Sequence, residues 1–78
     1  MRWESYGGGQ WRGHQPGISS SIVRVFRRSQ GVYDMQLAVR PGVYEGSNSS
    51  IRLDSVRTLA EAQEVAAAIA MMSHTSNH

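Results

Sequence analysis

The stretch Thr58 to Met72, TLAEAQEVAAAIAMM, constrains this fold more than any other, because all its local signals agree. Thr58 is a good N-cap, since its hydroxyl can accept a hydrogen bond from a free backbone N–H of a first helical turn. Glu61 follows three residues later and completes the form of a capping box. Glu61 and Glu64 place negative charge near the positive end of the helix dipole. The body is rich in alanine and holds neither Gly nor Pro, so helix propensity is high. Leu59, Ala62, Val65, Ala66, Ile69 and Met72 share one face at helical spacing, while Glu61, Gln63, Glu64 and Ala68 fall away from it. A helix this short is marginal alone in water, so the residues before it must supply a platform.

Those residues read as strands. Ser20 to Arg28, SSIVRVFRR, is rich in β-branched residues. Ile22, Arg24, Phe26 and Arg28 point one way, and Val23, Val25 and Arg27 the other. Both sets carry apolar side chains, so which one is buried stays open at this point. Ser29-Gln30-Gly31 is a short turn. Val32 to Arg40 alternates, with Tyr33, Met35, Leu37 and Val39 apolar on one face. Two such runs around a short Gly-containing turn predict an antiparallel hairpin. Pro41-Gly42 is a turn signal, Val43 to Glu45 extends a strand or covers an edge, and Gly46 to Ser50 is a loop. Ile51 to Arg57 is the third strand and leads into the helix.

The expectation is an α+β domain over residues 20–72: a three-stranded antiparallel sheet with one C-terminal helix on one face, in the order β-β-β-α. Residues 1–19 read as a flexible arm, because Gly7, Gly8, Gly9, Gly13 and Gly17 with Pro16 argue against a regular element. Residues 73–78 read as a disordered tail. At 78 residues the chain holds one domain. It has no cysteine, hence no disulfide and no thiolate metal site, which fits a reducing compartment. Met1 to Ser20 is polar and predicts no secretory leader, and Val65 to Met72 is too short to span a bilayer. The expected location is the cytoplasm of a bacterial host, with no membrane partner.

All eight basic residues are arginine. Together with the alanine-rich helix, this bias suggests a GC-rich coding sequence of bacterial or phage origin. Residues 1–30 carry Arg2, Arg12, Arg24, Arg27 and Arg28 against Glu4. Residues 31–78 carry Arg40, Arg52 and Arg57 against Asp34, Glu45, Asp54, Glu61 and Glu64. A basic pole attracts phosphate or an acidic protein surface. One or two of Trp3, Tyr6 and Trp11 are expected to fold back onto the domain; interleaved with Arg2 and Arg12, they also suit base stacking or a protein interface.

Catalytic chemistry is not written in the chain. His14, His74 and His78 fall in the arm and the tail, outside the confident elements, so no positioned base is expected. His74 and His78 lack a third metal ligand. Asp34 and Asp54 could share one sheet face, where pairing with Arg24, Arg27, Arg40 or Arg52 explains them more simply than catalysis. Gly7-Gly8-Gly9 has neither the lysine nor the strand–helix context of a phosphate loop. No enzyme activity, cofactor or metal is expected.

Two resemblances follow from the layout. Three strands followed by a helix opening RTLAEAQEVAAAIA resemble the arm-site DNA-binding domains of phage-type integrases. The likeness covers Ile22 to Ile69 in pattern and Thr58, Glu61 and Ala62 in identity, and it implies a sheet face that enters the DNA major groove. In size, composition and layout the chain also resembles small phage and mobile-element proteins, including anti-CRISPR proteins. That likeness implies a non-enzymatic inhibitor or adaptor that docks on a protein or nucleoprotein complex of the host. The expected docking residues are Trp3, Tyr6, Trp11, Arg12, Arg24, Arg27, Arg28, Arg40 and Arg52. The alternative is direct DNA or RNA binding through the same arginines, and a third reading is a homodimer pairing strand edges or sheet faces.

Overall fold

The computed structural model describes residues 1–45 and 50–75. Five strands form one antiparallel sheet in sequence order: β1 (Arg2–Gly7), β2 (Gln10–His14), β3 (Val23–Ser29), β4 (Val32–Leu37) and β5 (Ile51–Arg52). One helix, α1 (Leu59–Thr75), lies over β3 and β4. The α+β class and the C-terminal helix match the expectation. The count of three strands does not, and the difference is the N-terminus.

Residues 1–19 were expected to lack a regular element, yet residues 2–14 form a β-hairpin paired to β3. The three glycines that argued against regular structure are its turn. Gly7, Gly8 and Gly9 have φ of 74°, 59° and 77°, a left-handed run that residues with a Cβ rarely adopt. Gly13 inside β2 has a different use. A Cβ there would come within 2.5 Å of Met1 Sδ, 3.0 Å of Val23 Cγ1 and 3.1 Å of the Trp3 ring. The missing side chain makes room for Trp3, which packs against the core.

Strand register decides which side chains are buried. Trp3, Gly13, Val23 and Leu37 form one cross-strand row, and Ser5, Trp11, Val25, Met35 and Ile51 the next. These rows face the helix. The open question about β3 is settled: Val23 and Val25 are fully buried, and Arg24, Phe26 and Arg28 stand on the other face. Ile22, Tyr33, Met35, Leu53 and Val56 complete the aliphatic and aromatic part of the core.

The helix begins as its sequence predicts. Glu61 N donates to Thr58 Oγ1 at 3.2 Å, and Thr58 N donates to Glu61 Oε1 at 3.2 Å, a reciprocal capping box. Its buried stripe is narrower than expected. Ala62, Ala66 and Ala70 are fully buried and Leu59 and Ile69 partly so, but Val65 is exposed and Met72 is 71% exposed. Large side chains rise from the sheet beneath, and a row of alanines lets the helix backbone sit down on them. The helix continues to Thr75, so residues 73–75 of the expected tail are helical; residues 76–78, and residues 46–49 of the expected Gly46 to Ser50 loop, fall outside the described residues.

The other expected strands are shortened. The second ends at Leu37, not Arg40, and the third spans Ile51–Arg52, not Ile51 to Arg57. Beyond Arg52 the chain turns, with Leu53 N bonded to Tyr33 O at 2.9 Å and Val56 N to Leu53 O at 3.3 Å. This turn buries both Leu53 and Val56, which straight strand geometry would place on opposite faces. Val39, read on the apolar face with Tyr33, Met35 and Leu37, is 58% exposed beyond the end of β4, and Ile51, in the edge strand, is 49% exposed.

Candidate functional site

The face of the sheet away from the helix is built from the opposite register. Glu4, Arg12, Arg24 and Gln36 form one row across β1 to β4. Gln10, Phe26, Asp34 and Arg52 form the next, and Arg2 pairs with His14 at the near end. Arg2, Arg12, Arg24, Arg28 and Arg52 thus stand on this face against the carboxylates of Glu4 and Asp34.

Aromatic rings separate the arginines. The Arg12 guanidinium lies over the Tyr6 ring at 4.3 Å and 5.7 Å from the centre of Tyr44. Arg24 lies over Tyr44 at 4.4 Å and over Phe26 at 5.1 Å. Arg28 takes Phe26 at 4.9 Å. The result is a continuous ladder, Tyr6–Arg12–Tyr44–Arg24–Phe26–Arg28, crossing the sheet. Each such contact is worth roughly 0.5–2 kcal/mol and fixes the plane of a side chain that is otherwise long and mobile.

Tyr44 reaches the ladder because of the Pro41-Gly42 turn. Gly42 N bonds to Ser21 O at 2.8 Å and Val39 N to Val43 O at 2.9 Å, so residues 39–43 fold back on themselves. The chain then crosses the sheet face. The Tyr44 hydroxyl hydrogen-bonds Ser21 Oγ at 2.8 Å, and Glu45 O accepts from Gln36 Nε2 at 2.6 Å. Burial pushes the Tyr44 hydroxyl pKa up, an effect only partly offset by the Ser21 hydrogen bond and the neighbouring guanidinium charges.

Polar side chains beneath the ladder hold it in place. Arg24 Nε donates to Gln36 Oε1 at 2.7 Å. Arg28 Nε donates to Asp34 Oδ2 at 2.8 Å, and Arg52 Nε pairs with Asp34 Oδ1. These three arginines are held through Nε, and their Nη amines make no hydrogen bond among the described residues. Burial raises the Asp34 carboxyl pKa, but the hydrogen bonds and charges of Arg28 and Arg52 outweigh it and hold the group below the usual carboxylate range. Burial also lowers the Arg24 pKa, and the nearby Arg12 charge adds to this. An arginine still retains its proton in any ordinary buffer.

His14 was expected in an arm but stands in β2, almost fully buried. Its Nε2 lies 2.7 Å from Glu4 Oε1, yet neither ring nitrogen makes an aligned hydrogen bond. A cleft of about 370 Å³ nearby is lined by Arg2 and by Gln15 to Ser19, without a carboxylate or an imidazole. Among the described residues no group of three or more His, Asp or Glu is placed to hold a metal ion, and no helix is long and apolar enough to cross a membrane.

The sequence-predicted docking residues divide. Tyr6, Arg12, Arg24, Arg28 and Arg52 come together on the open face. Trp3 and Trp11 take the helix side, in register with Val23 and Val25. Arg27 follows Val25 in alternation, and Arg40 lies in the 40–43 turn, so neither joins the ladder. Asp54, expected beside Asp34, lies past the end of β5. Asp34 pairs with Arg52 as anticipated, and with Arg28 in place of Arg24, Arg27 or Arg40. Phe26, Tyr44 and Gln36 were missed as site residues. Phe26 was detectable by sharing parity with Arg24 and Arg28. Tyr44 had only the Pro-Gly turn to signal that it doubles back.

Searches of protein-family models, curated proteins and solved structures find no match to this chain.

Proposed function

We propose that this is a non-enzymatic binding protein that docks its open sheet face on an anionic macromolecular surface. The setting is that of a small phage or mobile-element protein acting on a host nucleoprotein complex. The observation that carries the reading is the arginine–aromatic ladder. Guanidinium groups stacked on rings lose little further freedom on binding, and Nη pairs not engaged by the described residues match carboxylate or phosphate oxygens two at a time. The basic excess on the face steers anionic partners towards it.

Retention on immobilised heparin and on immobilised nucleic acid tests this reading. Wild type is expected to be retained and to elute with salt, whereas Arg24→Glu elutes early with an unchanged circular dichroism spectrum. Arg27→Glu, off the ladder, is expected to stay close to wild type. Equal elution of wild type and Arg24→Glu overturns the reading. An inhibitor that contacts acidic protein has one observation in its favour. Tyr6 is 52% exposed beside Arg12, and Tyr and Arg are the residue types that anchor protein interfaces.

A further inference from the structure

We propose that the ligand of the open face is single-stranded nucleic acid, bound by stacking of unpaired bases at the ends of the ladder and by phosphate contacts along its middle. This deepens the docking reading and rests on it. The argument begins with what the ladder has left unoccupied. Phe26 has two guanidinium neighbours, Arg24 and Arg28, and Tyr44 also has two, Arg12 and the shared Arg24. The terminal members are different. Tyr6 at one end has a single guanidinium partner and is 52% exposed. Arg28 at the other end has one ring, Phe26, and its side chain is 44% exposed. The inner rungs are therefore filled by the protein's own side chains, and the ladder ends in two half-exposed flat groups, one aromatic and one guanidinium. Both groups stack on nucleobases. Between them the Nη amines of Arg24 are oriented by Nε bonding to Gln36 and remain available to phosphate oxygens.

An acidic protein surface supplies carboxylates for such arginines but places flat rings beside them only sporadically, whereas every nucleotide joins a flat base to a phosphate. Duplex DNA supplies phosphates, but its bases are already stacked on one another. A duplex also fits the face poorly. Four full strands at a spacing of about 4.8 Å span about 14 Å, more than the roughly 12 Å of a major groove. A single strand has no such limit and offers base faces and backbone together.

The test is fluorescence anisotropy with labelled oligonucleotides of about 12 nucleotides, within the range of known single-strand sites. The probes are single-stranded DNA, RNA of the same sequence, the DNA duplex, an abasic DNA strand of equal charge, and labelled polyglutamate; heparin serves as competitor. Base-bearing single strands are expected to bind about tenfold or more tighter than the duplex or the abasic strand, since one stacked base contributes roughly 1–3 kcal/mol. Tyr6→Leu, at an exposed position, should lower affinity for the base-bearing strand about tenfold and leave the abasic strand unchanged. The DNA and RNA arms decide which backbone is preferred. If duplex or abasic strand binds as tightly as the base-bearing strand, the stacking inference is overturned while anionic docking stands. If polyglutamate binds and no oligonucleotide does, the ligand is an acidic protein and this inference is wrong. Should none of the anions bind, the docking reading fails as well.

Discussion

The two faces of one sheet make opposite use of the same strands. On the helix side, Val23, Val25 and Met35 are fully buried under a row of alanines, with no charge between them. One residue along each strand, Arg24, Phe26, Asp34 and Gln36 form a polar and π-rich surface. The difference arises from the side-chain period of two in a strand, which assigns neighbours in sequence to different environments. It also separates tasks. The covered face holds the fold together, and the open face carries the groups fit for docking. Two buried polar groups on the open side have partners: Asp34 has two arginines, and Gln36 bridges Arg24 and the Glu45 carbonyl, whereas Arg12 Nε and the two His14 ring nitrogens are buried without an aligned hydrogen bond among the described residues.

The largest test of this division is Ala66→Glu. Ala66 is fully buried in the core between α1 and the sheet. A carboxylate there is both oversized and unpaired, and its cost is comparable to the roughly 5–15 kcal/mol stability of a whole domain. Loss of the circular dichroism signal of helix and sheet is expected; a folded, stable variant would show that the covered face does not hold the fold.

Asp34→Asn probes the open face from the stability side. The substitution keeps the shape but removes the charge that holds Arg28 and Arg52. Because both arginines are about half exposed, a loss of about 1–2 kcal/mol at neutral pH is expected in urea denaturation. The pH dependence follows from the lowered carboxyl pKa. Its contribution is full above the unfolded value of about 3.9 and is lost as pH falls through the lower folded value. Wild type should therefore lose stability below about pH 4 more steeply than the variant. Parallel acid profiles would mean that the Asp34 cluster does not support the fold.

Gly13→Ala asks whether the N-terminal hairpin belongs to the core. Its new methyl meets Met1, Val23 and Trp3, so a loss of about 1–2 kcal/mol is expected from thermal melts. An N-terminal arm would be indifferent to the change. The smallest effect is predicted for Met72→Ser. Met72 belongs to the helical stripe by spacing but is 71% exposed, so a change within about 0.5 kcal/mol is expected. A larger loss would mean that the helix buries more than its alanine row.

Much of the fold was legible in the chain. Thr58 and Glu61 mark the helix start, and they form the capping box that their spacing predicts. The alternation of Tyr33, Met35 and Leu37 marks β4, and Gln30-Gly31 the turn before it. The hairpin at residues 2–14 was not read, because glycines signal turns and breaks alike and only pairing with β3 distinguishes the two. About half of the candidate site was visible as well, since arginine and tyrosine declare themselves by type. The side on which each one lands was not visible, as the examples of Arg24 and Arg27 show.

By itself, then, the sequence determined the elements: a capped alanine-rich helix, alternating strands and an excess of arginine. These depend on neighbours a few residues apart. Tertiary structure alone decided that β1 and β2 join the sheet, that Val23 and Val25 face the helix, and that Tyr44 folds back between Arg12 and Arg24. Those outcomes depend on pairing between residues distant in the chain, where burial of one face sets the register and leaves the arginines on the other.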